Sequence, residues 1–438
     1  MSHDAAAPGP EETLVALVRD AGRDVLASLA REVGDLALAE DAVQDAVLRA
    51  LDRWPVDGVP DRPAAWLRVV ARNRARDLVR AESRREAREE RAHREDLVTG
   101  RHSAAPAHDQ EDPMSSSYPG HFPEGPDEIP PEVLHDDLLR LLFTCCHPSL
   151  APASQVALAL RTLCGLSEEE IARALLSTPD AVAKRLVRTR QKIRAAGIPY
   201  KVPSEAELPQ RWAAVLTTVY LLLNEGYSAT AGPDLVRPAL LEQALRLAGL
   251  LHALRPDDVG ACALLALGLL QDSRRAERLD DDGVPKLLAD QDRSRWDRAA
   301  IRAGSELVTA GLRLSTAGAP VDRYLAQAAI AACHALAPDY AATDWDAIVS
   351  WYDALLVTDP SPVVALNRAV ALAERDGAEA GLTAVLAVPG LERYPLWHAT
   401  QAVLLRRLGR EEEAARADAR AAALPLPEPT RRLLDPAG

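Results

Sequence analysis

Apolar residues recur at intervals of three and four along almost the whole of this 438-residue chain, and nothing resembles a strand-rich domain. Leu14, Val18, Val25, Leu29 and Val33 fall on one stripe, and Leu36, Ala39, Val43, Val47 and Leu51 on a second. An all-α fold follows. Composition agrees, because the chain is heavy in Ala, Leu, Arg and Glu, which favour helix. Aromatics are only 4%, with two Phe, so the cores must be built from Leu, Val and Ala.

Breakers divide the pattern. Residues 1–10 read as a disordered tail, and Trp54–Pro63 (WPVDGVPDRP) as a loop with Pro63 opening the next helix. Residues 97–131 carry Pro, Gly, Ser and His with almost no apolar period, which reads as a flexible linker. Helical patterning resumes at Val133 and runs to Ala196, and GIPYKVP (Gly197–Pro203) marks a second boundary. From Ser204 onward, helical stretches with short Pro/Gly punctuation suggest an array of α-hairpins. The expected domains are therefore 11–96, 132–197 and 204–438, with the linker 97–131 between the first two.

The formal net charge of −14 argues, taken whole, against a nucleic-acid binder. Its distribution argues otherwise. Between Arg62 and Arg94 eleven Arg face five acids, with Arg68, Arg72, Arg76 and Arg80 stepping by four, while Trp66, Leu67, Val70 and Leu78 form an apolar face. Between Asp180 and Arg194 six basic residues face one acid. Between Glu95 and Asp137 eleven acids face one Arg. Two compact basic helices in an acidic chain call for an anionic partner, although a solvated charged face explains either helix alone about as well.

The second basic helix has informative surroundings. Ser167 and Glu170 are spaced as a capping box, and Ile171, Ala174 and Leu175 give that helix an apolar face. Thr178 then stands as an N-cap with Pro179 at the first helical position. Val182, Leu186 and Ile193 point inward, and Lys184, Arg185, Arg188 and Lys192 outward. A short helix, a tight turn and a basic second helix is helix-turn-helix geometry, in which the second helix enters the DNA major groove.

Gly165–Arg194 (GLSEEEIARALLSTPDAVAKRLVRTRQKIR) resembles region 4 of the extracytoplasmic-function sigma factors, the small members of the sigma-70 family. Ala39–Pro55 (AEDAVQDAVLRALDRWP) followed by Ala64–Arg85 (AAWLRVVARNRARDLVRAESRR) resembles their region 2. The pair, in this order and at this separation, is far more specific than either block. The remainder resembles the tetratricopeptide-like extension of one subgroup, to which TCCHPSL (Thr144–Leu150) and VYLLLNEGYSA (Val219–Ala229) are also similar. Trp397 to Pro425 fits a degenerate tetratricopeptide unit, and Ala365–Ala371 begins a preceding one.

The resemblance implies a soluble, cytoplasmic initiation factor that binds core RNA polymerase and promoter DNA and needs no cofactor. Asp41, Gln44, Asp45 and Arg49 share one helix face, which in similar factors docks on the clamp helices of the β′ subunit; region 4 is expected on the β flap. Asn73, Arg76, Arg80, Arg84 and Arg85 match positions that meet the −10 element, where a base is flipped from the opening duplex into a pocket segment corresponding to Trp54–Pro63. Trp66 reads as core rather than as a wedge. Thr178, Lys184, Arg185, Arg188 and Lys192 are the candidates for the −35 element, Arg reading guanine bidentately. Asp180 departs from the small residue common there. The extension, with 24 basic and 32 acidic residues, is expected to pack on the sigma regions as a built-in regulator, or to bind a regulatory protein or ligand. Asp109, Glu111, Asp112, Glu124, Asp127 and Glu128 of the linker suggest a DNA mimic in the polymerase channel, against the plainer reading of a solubilising spacer.

Other chemistry finds no support. The five cysteines lack CxxC spacing, and Cys145-Cys146-His147 reads as core packing rather than a metal centre. Asp280–Asp282 with Asp290 and Asp292 lack the spacing of a calcium loop. No secretory signal is recognisable, the longest apolar run (Ala261–Leu270) is half a membrane span, and no catalytic motif occurs. Two rivals remain: a helix-turn-helix regulator with a sensing helical domain, and a helical scaffold whose sigma-like half has lost DNA binding.

Overall fold

The computed structural model describes residues 9–20, 22–98, 136–175, 177–196, 198, 202–204, 206–229, 235–315, 321–424 and 431. The acidic linker from residue 99 and its six candidate carboxylates lie outside these residues, as does the tail up to residue 8. The described secondary structure is helical; a single isolated bridge, Leu279 to Pro285, is its only β feature. The all-α expectation holds. The chain divides into two compact units, residues 1–144 with 190–202, and residues 145–189 with 203–438.

The first unit contains α1 (Pro10–Asp20), α2 (Gly22–Val33), α3 (Leu36–Asp57), α4 (Pro63–Val98) and nearly all of α5 (Asp137–Cys145). Asp35 starts α3 by accepting hydrogen bonds from the amides of Ala37 and Leu38 at 2.7 and 3.0 Å. Its buried stripe is Ala39, Ala42, Ala46, Ala50 and Trp54, and that of α4 is Leu67, Ala71 and Ala75. This corrects the stripe expected from hydrophobicity. Val43 and Val47 sit at the margin half-buried and Leu51 is exposed, because alanines let two helix backbones approach and the larger residues flank the seam.

The loop expected at Trp54–Pro63 is also shorter than its composition suggests. Helix α3 continues through Pro55 to Asp57, and Gly58, at φ +83°, ends it with its N–H bonded to the Trp54 carbonyl. Burial of the Trp54 indole holds that last turn. It meets Trp66 edge-to-face at a centroid distance of 5.5 Å, which places Trp66 beside the apolar cluster of Leu14, Ala50 and Trp54.

The second unit begins with α6 (Pro152–Cys164), α7 (Glu168–Ala174) and most of α8 (Pro179–Ala196). Helices α9 (Pro209–Tyr227), α10 (Pro238–Leu254), α11 (Val259–Asp272), α12 (Arg298–Leu314), α13 (Arg323–Leu336), α14 (Trp345–Thr358), α15 (Pro362–Asp376), α16 (Ala378–Leu386), α17 (Pro395–Arg407) and α18 (Glu411–Ala422) follow, each packing on its neighbours in order. Asp258, Asp297, Asp322, Asp344 and Ser361 cap five of them through side-chain oxygens. Gly381 permits the closest approach. A Cβ there would lie 2.2 Å from the Cβ of Ala373.

The array is not uninterrupted. Residues 273–297 form short 3-10 turns organised around Glu277, 1% exposed, which accepts from the Asp292 amide and Lys286 at 3.1 Å each and pairs with Arg295. The acid-rich stretch Asp280–Asp282 belongs to this loop; among the described residues no three His, Cys, Asp or Glu side chains gather as metal ligands.

Candidate nucleic-acid interface

The helix-turn-helix segment is built by its caps. Ser167 Oγ accepts from the Glu170 amide at 3.2 Å, and Glu170 Oε2 accepts from the Ser167 amide at 2.6 Å, completing the capping box. Arg161 donates to the Leu166 carbonyl at 2.8 Å and fixes the turn before it. Thr178 Oγ1 accepts from the Ala181 amide at 3.3 Å at the start of α8. Val182, Leu186 and Ile193 are buried, as their spacing requires, and Thr189 joins them by bonding the Arg185 carbonyl at 2.7 Å.

The opposite face of α8 is cationic. Lys184, Arg188 and Lys192 are exposed and Arg185 is half-buried. Asp180 is exposed at the first turn, where it complements the helix dipole. Val187, 53% exposed, lies between Lys184 and Arg188. Periodicity could not single it out, since a valine on a polar face reads as incidental.

In the first unit α4 presents Asn73, Arg76, Arg80 and Arg84 to solvent; the side chain of Arg85 is outside the described ones. Arg72 donates to Glu32 at 2.8 Å and Arg76 lies 3.5 Å from the same carboxylate. The Arg76 pair is exposed and worth little, so it leaves that guanidinium available. On α3, Asp41, Gln44 and Arg49 are exposed and Asp45 is half-buried, forming the single face that their spacing implies. Two of its acids are already engaged: Asp45 pairs with Arg74, and Asp41 accepts from Arg194 at 2.9 Å. Beside them Glu40, 7% exposed, accepts from Arg190 at 2.7 Å. Both of these arginines lie in the last turns of α8. The sequence shows no sign of such pairs, which join residues about 150 apart.

Within the second unit the later helices pack on the helix-turn-helix segment. Helix α9 lies on α6, and Gln243 of α10 donates to the Leu163 carbonyl at 3.0 Å. Arg237 binds Glu170 at 2.9 Å and Glu225 at 3.4 Å, so the capping-box carboxylate serves both segments. Cys145 and Cys146 are fully buried, the core role expected of them. Cys146 Sγ lies 3.9 Å from Thr218 Oγ1, and burial pushes its thiol up to about 12, which makes it inert.

Three families match separate stretches of the chain. Sigma-70 region 2 matches residues 17–85, sigma-70 region 4 matches residues 140–193, and a family of unknown function (DUF6596) matches residues 211–312. An uncharacterised protein of Rhizobium meliloti (strain 1021) is 41% identical over 91% of this chain and 89% of its own length. A probable ECF RNA polymerase sigma factor, SigI, of Mycobacterium tuberculosis (strain ATCC 25618 / H37Rv) is 31% identical over 41% of this chain and 53% of its own. No solved structure matches.

Proposed function

The chain belongs to the extracytoplasmic-function sigma factors of the sigma-70 family and carries a C-terminal extension, and we propose that it directs core RNA polymerase to promoters through two separate basic helices. Factors of this family initiate transcription and are not themselves enzymes. The observation that carries the reading is α8, whose apolar face is packed while Lys184, Arg188 and Lys192 are exposed to solvent on the other. These three with Arg185 read and anchor the −35 element, while the Thr178 hydroxyl donates to a phosphate. Val187 adds an apolar contact suited to a thymine methyl.

Asn73, Arg76, Arg80, Arg84 and Arg85 of α4 engage the −10 element, where neutralising the backbone offsets the few kcal/mol of base extrusion. Asp41, Gln44, Asp45 and Arg49 dock on the β′ clamp helices, and region 4 on the β flap. The tetratricopeptide-like extension sets activity by bracing region 4, a reading supported by the bonds of Arg237 and Gln243. No described helix is long and apolar enough to cross a membrane.

Run-off transcription with purified core polymerase on a promoter library tests the proposal. Promoter-specific transcripts that need both −35 and −10 elements are expected. DNA binding without polymerase, and no transcript with it, would point to the helix-turn-helix regulator; neither binding nor transcripts would point to the scaffold.

A further inference from the structure

The extension contains a cleft of about 500 Å³ between α9, α11, α13, α14 and α15, in the size range of small-molecule sites. Its wall holds polar atoms that the protein leaves unused. Gln271 Oε1 on α11 is buried without a donor, and His334 Nδ1 on α13 is buried without a partner. Buried polar groups cost stability unless satisfied, and a ligand in this cleft brings a donor next to the two residues that carry these atoms. Arg274 reaches the same cleft from the end of α11. Its guanidinium lies 5.4 Å from the Tyr227 ring, and among the described residues it has no carboxylate within ion-pair distance. The neighbouring Arg275, by contrast, pairs with Asp272 at 2.6 Å. Elsewhere on the wall Tyr220 donates to Gln327 at 2.8 Å and Gln327 donates to the Arg323 carbonyl at 3.2 Å, while Tyr352 and Asn367 also line it. Ile330 and Leu355 supply apolar surface, and Asp359 lines the cleft near the start of α15.

We propose that this cleft binds a small organic carboxylate that also carries an N–H donor. The carboxylate meets Arg274, whose planar fork suits it, and the N–H satisfies Gln271 Oε1 with Asp359 available to an ammonium form. His334 is held neutral, burial being the main cause and Arg274 and Arg293 adding to it, so it contributes a hydrogen bond rather than a second cation. One fixed positive charge in the cleft matches one carboxylate. Binding at this site is independent of the sigma-factor reading, since it requires neither polymerase nor DNA.

Thermal unfolding of the full chain tests it with L-glutamine, L-glutamate, succinate and glutarate as probes, and with succinamide and glutaramide as neutral counterparts. The amino acids should raise the melting temperature by about 3 °C at roughly ten times their dissociation constant, the plain dicarboxylates by less, and the neutral diamides not at all. Arg274→Gln should weaken the response about tenfold or more. Gln271→Leu keeps the charge and removes the orphan acceptor, so it should erase the preference for probes with an N–H. It also carries the test if Arg274→Gln unfolds. No shift with any carboxylate, equal shifts with the diamides, or a variant response identical to the parent would overturn the proposal.

Discussion

At the scale of single residues, a cap is a local device and a helix seam is a shared one. Ser167, Glu170, Thr178 and Pro179 act within three residues of themselves, so their spacing alone foretells the hydrogen bonds found. The seam of α3 depends on what approaches it. Val43 and Val47 are more hydrophobic than Ala42 and Ala46, yet the alanines are buried, because helix separation decides which face fits. Gly381 is the same effect at its limit. Gly381→Ala should destabilise the extension by about 1–3 kcal/mol through overpacking against Ala373, measured by chemical denaturation. His334 offers a pH-dependent check. Its folded value falls from 6.5 to about 4, so the unfolded chain takes up the proton first as pH drops. The contribution is fully present above about 6.5 and is lost progressively toward 4. His334→Gln should flatten that part of the melting-temperature profile relative to the parent.

At the scale of helices, composition identified both basic elements, since a stripe of like charge needs no tertiary knowledge. It could not tell which cations are occupied. Arg190 and Arg194 belong to the same basic run as Lys184 and Arg188, but they bind Glu40 and Asp41. Lys184→Ala or Arg188→Ala should lower promoter-specific transcription about tenfold, the cost of one good base contact, with core-polymerase binding unchanged. Arg194→Ala should act oppositely in a different assay. By freeing Asp41 on the expected docking face it should tighten binding to core polymerase about twofold, consistent with an exposed pair. Weaker binding after that substitution would show that the pair supports the docking surface instead of covering it. The continuation of α3 through Pro55 was likewise hidden, because a breaker-rich segment reads as loop until the Trp54 indole is seen to be buried.

At the scale of the whole molecule, the net charge of −14 pointed away from DNA, whereas the charge carried by each helix pointed to it. The divisions expected at 97–131 and 197–203 rest on composition alone. Composition could not show that residues 145–189 pack with 203–438, since that association rests on contacts such as Gln243 to Leu163. Removing residues 204–438 should therefore also loosen the helix-turn-helix segment. It strips α6 of α9 and leaves Glu170 without Arg237, so proteolysis of region 4 should quicken along with any change in transcription.

The shared carboxylate of Glu170 also limits how such chains can be recombined. It closes the cap that starts α7, the helix before the one proposed to read DNA, and through Arg237 fastens the extension to that cap. A domain swap that brings in a foreign extension without a guanidinium at this position, or a foreign region 4 without a carboxylate at 170, loses the ion pair that joins the two segments. The two segments look interchangeable when laid end to end, but they are exchangeable only as a pair.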